Sequence, residues 1–288
     1  MNKVRFSLLA FGLAVATAAL PATARPLDEV IESKVLHVVL YDDNEPFSWS
    51  ADGETRGIDA DIARAIAAKL GVEADLIVRM QGEKLDQDLR YNIVRGTPGG
   101  GIAGDIMLHV PVDREFSQTF REAVIGTPYF QQRVALAVRS DRATDVVSFD
   151  VFMPHTTGRS EKIGVQLGTV ADYFLMRFDG GALVDNIAHY LKPAQGAARF
   201  ASGETSAILG VQSSLQSLLK SRGESAKWLS PPMPGIVRSS WVLGSAVNER
   251  SRDLGHAVAS ALDALKADGT LKAICEKYGV TYLPPADP

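Results

Sequence analysis

The chain has 288 residues, a formal net charge of −4 and 22% charged residues. That balance, without a basic run, excludes the electrostatic footprint of a nucleic-acid binder or of a protein held on an anionic membrane surface. A single cysteine, Cys275, excludes an internal disulfide, and its setting in the apolar helical stretch Ala273-Ile274-Cys275 predicts a buried thiol.

The first element is a leader. Lys3 and Arg5 precede an uncharged apolar run from Phe6 to Leu20, followed by Pro21 and the small-residue pattern Ala22-Thr23-Ala24. This order predicts a secretory signal peptide over 1–24, cleaved after Ala24. A spanning helix needs about 20 apolar residues, more than this run supplies. No cysteine lies beside the cleavage point, so a lipid-anchored form is excluded and the expected location is the periplasm. No later segment reaches membrane-spanning length without charges. The remaining chain suits two lobes of about 100 to 150 residues each.

Val35 to Tyr41 is β-rich, short and bounded by Asp42-Asp43-Asn44, which predicts a buried strand. After a loop carrying Pro46, Phe47 and Trp49, Asp59 precedes Ile62, Ala65, Ile66, Ala68 and Leu70 at helical spacing, with Gly71 as the stop. A strand at Ala74 to Val78 completes a βαβ opening, so the expected fold class is α/β. Leu85, Leu89 and Ile93 then mark a short amphipathic helix ending in the loop Gly96-Thr97-Pro98-Gly99-Gly100-Gly101. Strands are predicted at Ile106 to Val110 and at Val134 to Val138, the second crossing into another lobe, and Ser140 to Glu161 reads as an irregular polar loop.

Ile163 to Thr169 is a strand running into a helix start, with Tyr173 to Arg177 helical. Ala207 to Gly210 and Trp241 to Val247 are further strands, separated by a helix at Ser213 to Ser221 and a Pro-rich loop at Pro231 to Pro234. Two helices close the chain, Leu254 to Ala267 before Gly269 and Leu271 to Tyr278 before Gly279.

Several motifs fail. The loop 97–101 lacks the lysine and hydroxyl of a phosphate-cradling loop. The five histidines have no metal-ligand spacing, and no G-x-S-x-G elbow or cysteine nucleophile pattern occurs. No metal and no cofactor is expected.

Pro46-Phe47 followed by Gly57-Ile58-Asp59-Ala60-Asp61-Ile62-Ala63-Arg64-Ala65-Ile66-Ala67 resembles the family 3 extracellular solute-binding proteins of ABC transporters. Later segments arrive in that family's order: Val112-Asp113-Arg114-Glu115, Thr127-Pro128-Tyr129-Phe130, Gly164 to Thr169, Leu265 to Leu271, and Lys277-Tyr278-Gly279. The resemblance implies a two-lobed periplasmic-binding-protein fold of type II with two hinge strands. Lobe 1 would comprise 25–130 plus 248–288, and lobe 2 would comprise 131–247. It also implies a monomer without enzymatic activity that captures a small anionic or carboxylated solute in the interlobe cleft for an ABC permease.

Within that resemblance, Arg114 would grip a ligand carboxylate through its planar fork, or else pair with Asp113 or Glu115 on the surface. Gly168 and Thr169 stand at a helix start, where free N–H groups and the dipole favour an anion and where capping can coexist with binding. His109, at the end of its strand, is either a ligand contact or a structural histidine. Asn44, Glu45 and Trp49 should line the first lobe's rim, Trp49 as a stacking surface. Gln212 follows the strand after which amino-acid binders offer an aspartate to the ligand's ammonium. Here no acid stands in Ala207 to Gln212, which argues against a standard α-amino acid.

The charged stretch Gly82 to Gly104 resembles a branch associated with quinoprotein dehydrogenases. Under that resemblance Arg79, Lys84, Arg90 and Arg95 would add charge for a multiply carboxylated ligand such as pyrroloquinoline quinone (PQQ), or the chain would dock on the dehydrogenase itself; a solvated helix face is the alternative. A dehydratase-like enzyme on the same scaffold would need Glu45, Glu83 or His109 as acid or base.

Overall fold

The computed structural model describes residues 25–141, 148–152, 161–236 and 238–285. The expected leader over 1–24 and most of the expected loop 140–161 lie outside the described residues.

After helix α1 (Leu27–Ser33), strand β1 (Val35–Tyr41) sits between two parallel partners, β4 (Glu73–Arg79) and β5 (Ile106–Pro111). A two-stranded hairpin, β2 (Trp49–Ala51) and β3 (Glu54–Arg56), precedes helix α2 (Ile58–Leu70). Gly57 is obligatory at that entry: its φ is 128°, and a Cβ there would come within 2.1 Å of the Phe47 carbonyl oxygen. The α2 face Ile58, Ile62 and Ile66 is fully buried against Leu36, Val38 and Leu40. Each such side chain contributes about 1.5 to 3 kcal/mol by leaving water.

The opposite face of this sheet is covered by the segment after β4. Helix α3 (Leu85–Leu89) continues into a wider π-helical turn, Arg90–Val94, which the four-residue spacing of Leu85, Leu89 and Ile93 did not reveal. Leu89 and Ile93 are buried against Val39, Ile77 and Met107. The sheet is therefore covered on both faces, as a parallel sheet requires.

Short helix α4 (Arg114–Thr119) leads to β6 (Ala123–Arg139), a strand of 17 residues. Its first half pairs with β11 (Ser240–Asn248) and its second with β9 (Ala207–Val211) and β10 (Ala226–Leu229), so β6 runs from one lobe into the other. The sequence pattern placed this strand at Val134 to Val138, whereas it begins at Ala123 and passes through the break at Gly126-Thr127-Pro128. The structure absorbs the break as a register shift between β6 and β11, with Thr127 at a φ of 45°.

The second lobe carries β7 (Ile163–Gln166) between β8 (Ile187–Tyr190) and β9, all parallel, with helices α5 (Val170–Arg177), α6 (Pro193–Ala201) and α7 (Gln212–Lys220) after β7, β8 and β9 respectively. Its core has Phe149, Phe174 and Leu175 on one side and Phe200, Leu215 and Leu219 on the other.

β11, which holds the predicted strand Trp241 to Val247, pairs antiparallel with β5; Leu243 and Val247 pack in the first lobe's core, while Trp241 packs against both cores. Val134 N–H donates to Ser239 O at 2.8 Å where the two long strands lie side by side. Helices α8 (Arg252–Ala267) and α9 (Thr270–Lys277) finish the first lobe on α2, burying Cys275, whose thiol burial pushes up to about 12. Among the described residues no helix is long and apolar enough to cross a membrane, and no cluster of His, Cys, Asp or Glu is arranged to hold a metal.

Candidate functional site

The carboxyl ends of β7, β8 and β9 converge at Gln166, Tyr190 and Val211, and α5, α6 and α7 begin directly beyond them. In open α/β sheets this edge is where loops and helix N-termini can meet a ligand. A cavity of about 390 Å³ lies there, within the size range of small-molecule sites.

Its walls are apolar: Val134, Leu209, Val211 and Leu215 from strands and α7, Val170 and Ala171 from the first turn of α5, and the rings of Tyr190 and Trp241. The polar lining comes from Gln166, Thr169, Ser214 and Arg238. No aspartate or glutamate is among the described residues that line it.

The tip of α5 is tightly organised. Gly168 adopts a φ of 77°, a left-handed conformation that glycine accepts without a Cβ penalty, and its N–H donates to Asp172 Oδ2 at 2.8 Å. Asp172 Oδ1 in turn meets His189 Nε2 at 2.8 Å. The Thr169 hydroxyl donates to Gln166 O at 2.8 Å and accepts from Asp172 N–H at 3.3 Å. Gly168 and Thr169 thus spend their obvious donors on the cap. The donors left toward a guest are the first-turn N–H groups of Val170 and Ala171, which have no acceptor inside the helix.

Arg238 is the cationic member of the lining, and it forms an ion pair with Asp113 of the first lobe. Asp113 caps α4 by accepting from Phe116 N–H at 2.8 Å, and this bond, with the Arg238 guanidinium, holds its carboxyl below the usual carboxylate range. Arg114 follows immediately. It is exposed and has no side-chain partner among the described residues, so it neither pairs with Asp113 or Glu115 nor lines the cavity.

The other expected site residues divide. Glu45 reaches the cavity's edge through its backbone, where its carbonyl accepts from the Ser214 hydroxyl at 3.5 Å. Asn44 closes a tight turn with Ser48, and its side-chain nitrogen is buried without a partner among the described residues. Trp49 packs edge-on against Tyr278 at 5.7 Å between ring centres and does not line the cavity. Gln212 is buried behind the lining and accepts from Arg133 Nε.

His109 also stands apart from the cavity, in a buried network. Its Nδ1 lies 2.8 Å from Oδ2 of fully buried Asp59, while Tyr129 donates to Asp59 Oδ1 at 2.6 Å and accepts from His109 N–H at 2.9 Å. These ties hold His109 at a φ of 63°, and Phe47 closes on its ring at 4.6 Å. Burial and the Asp59 charge raise the Tyr129 hydroxyl well above its ordinary pKa.

Of the charged residues in the stretch 79–104, Arg90 bonds Glu122 and Asp86, and Arg95 bonds Glu122, both away from the cavity. Sequence reasoning missed Arg238, Ser214, Tyr190 and Trp241. Arg238 follows a Pro-rich loop and has no motif around it, so no local signal marks it.

No family model matches the chain. It is 26% identical over 247 residues to a Bacillus subtilis protein described as a probable amino-acid-binding protein, YxeM, covering 86% of this chain and 84% of the relative. Among solved structures it resembles an ancestral cationic amino acid solute-binding protein at 24% identity and a TM-score of 0.67, covering 88% of this chain and 99% of the other. It also resembles the unliganded, open L-cystine solute receptor of Neisseria gonorrhoeae at 20% identity and a TM-score of 0.65, covering 91% and 100%. These likenesses establish the two-lobed solute-binding fold.

Proposed function

We propose that this protein is a periplasmic solute-binding protein that closes its lobes on a small carboxylate-bearing solute and passes it to an ABC-type permease without altering it. The observation that carries this reading is the cavity at the strand ends of the second lobe, where one guanidinium, a helix tip and the polar groups of Gln166, Thr169 and Ser214 line a mostly apolar chamber. A guest with a single carboxylate and an apolar body matches that lining: the charge meets Arg238 and the first-turn amides of α5, and the body meets Leu209, Leu215 and Trp241. Arg114, unpartnered beside Asp113, supplies a second guanidinium from the first lobe when the lobes close.

The lining does not favour a multiply carboxylated guest such as PQQ, because the cations of 79–104 are placed elsewhere. Nor does it favour a dehydratase-like enzyme: Glu83 and His109 do not line the cavity, and Glu45 reaches its rim through a backbone carbonyl. Binding without chemistry is the reading that these positions support.

An amino acid is the second reading, favoured by the relatives that bind amino acids. The cavity wall offers no carboxylate to an ammonium, but Asp113, already in contact with Arg238, stands at its edge. A matched pair separates the two readings, since phenylpyruvate and phenylalanine share a body and differ at the amino group. Calorimetric titration of the secreted chain with both is the test. Saturable binding of phenylpyruvate supports the first reading, binding of phenylalanine alone supports the second, and binding of neither by a protein freed of retained ligand counts against this choice of guest. A bound guest also raises stability by about 2.7 kcal/mol at a hundredfold excess over Kd, so a thermal-shift series extends the screen to other acids.

A further inference from the structure

A second pocket, of about 500 Å³, lies on the far edge of the first lobe, where β11 ends beside the start of β6. β11 is antiparallel to β5, so this edge is opposite the strand ends that face the other lobe. Three chain segments meet there, contributing Arg95, Arg121, Glu122, Asn248, Glu249 and Arg250.

The framework is fixed from within. The buried Asn248 side chain donates to Ile93 O of the π-helical turn at 3.0 Å and accepts from Arg250 N–H at 2.9 Å. Glu249 N–H donates to Glu122 O at 3.1 Å, which ties the remaining segment to the same floor. Both carboxylates are already matched. Glu122 accepts from Arg90 at 2.7 Å and from Arg95 at 3.3 Å, and Glu249 accepts from Arg252 at 2.7 Å. Arg121 and Arg250 have no side-chain partner among the described residues, so two uncompensated guanidinia share one concave site.

We propose that this pocket binds a small dianionic oxyanion, with Arg121 and Arg250 each supplying a planar fork and Arg95 standing at the rim. Two unmatched positive charges ask for two negative ones, and forked guanidinia suit phosphate-like and dicarboxylate oxygens alike. The charged stretch before β5 thus contributes to a site remote from the interlobe cavity. This inference stands whether or not the cavity reading holds.

The test uses inorganic phosphate and malonate as probes on the secreted chain, with chloride at matched ionic strength as the control. Thermal shift and calorimetry should show saturable binding of at least one dianion, weakened about tenfold by Arg121→Gln or Arg250→Gln and abolished by the double variant. Arg238→Ala should leave it unchanged. The phosphate and malonate arms decide between tetrahedral and dicarboxylate ligands. In the unsubstituted protein, phosphate or malonate should move the arginine side-chain NMR signals of Arg121 and Arg250, a readout that needs no variant to fold. The proposal is overturned if neither dianion exceeds chloride, if binding survives the double variant, or if Arg238→Ala removes it.

Discussion

Replacing Asp113 with asparagine separates the two readings of the cavity with one atom's change of charge. Asparagine caps a helix about as well as aspartate, so α4 keeps its hydrogen bond from Phe116 N–H and stability should change by no more than about 1 kcal/mol, the most the lost ion pair is worth. The ion pair with Arg238 is lost. Arg238 is 60% exposed and Asp113 14%, so solvent screens the pair and its worth is about 0.2 to 1 kcal/mol. A carboxylate guest no longer competes with Asp113 for the guanidinium, and phenylpyruvate should bind up to about fivefold more tightly. Phenylalanine, if its ammonium uses Asp113, should lose about 1.5 to 3 kcal/mol, the worth of a charge-assisted hydrogen bond. Titration calorimetry of both ligands against both proteins reads the two signs directly. Unchanged affinity for both would refute the placement of Asp113 at the ligand's edge.

Arg238→Ala should weaken a carboxylate guest by about 1.5 to 3 kcal/mol in the same titration while leaving the melting temperature nearly unchanged, because Arg238 is itself exposed and solvent screens its pairing with Asp113. Arg114→Ala should weaken binding within the same range, and unaltered affinity would remove Arg114 from the site. Tyr129→Phe leaves Asp59 Oδ1 and His109 N–H without a partner inside the first lobe and should cost about 1 to 3 kcal/mol in denaturant unfolding. Cys275, with its thiol pushed up to about 12, should resist thiol reagents at pH 8 until the protein is unfolded. Because the Asp113 carboxyl is held low, its contribution to stability is complete above the ordinary carboxylate pKa and is lost as pH falls through the folded value; Asp113→Asn should flatten that part of the acid limb.

Local patterns carried much of the fold. The βαβ opening, the helix from Ile58 stopped at Gly71 and the paired closing helices are all encoded within windows of a dozen residues, where periodicity and caps suffice. What escaped was non-local. Trp241 to Val247 is recognisable as a strand, but its choice of β5 as neighbour depends on residues more than a hundred positions away. Likewise β6 runs through Gly126-Thr127-Pro128 because β11 supplies a shifted partner, which no window around those residues contains.

The site shows the same division. Gly168 and Thr169 were legible because a glycine between a strand and a helix start has a local physical meaning, and both line the cavity. Arg114 was legible as a motif residue, yet its neighbour Asp113 makes the contact to Arg238. Gln212 looks available in the sequence and is consumed by Arg133, a pairing across 79 positions. His109 carries no mark of the buried Asp59 beneath it, 50 positions earlier, a pairing that only the fold reveals.

The account depends on a carboxylate being held between Arg238 and the first turn of α5. A crystal structure of the protein with its retained or titrated guest measures this most directly. The expected result is a carboxylate within hydrogen-bond distance of the Arg238 guanidinium and the Val170 or Ala171 amides, with the guest's apolar body against Leu209, Leu215 and Trp241. A guest seated outside that chamber, or one turning a cationic group toward Arg238, would contradict it.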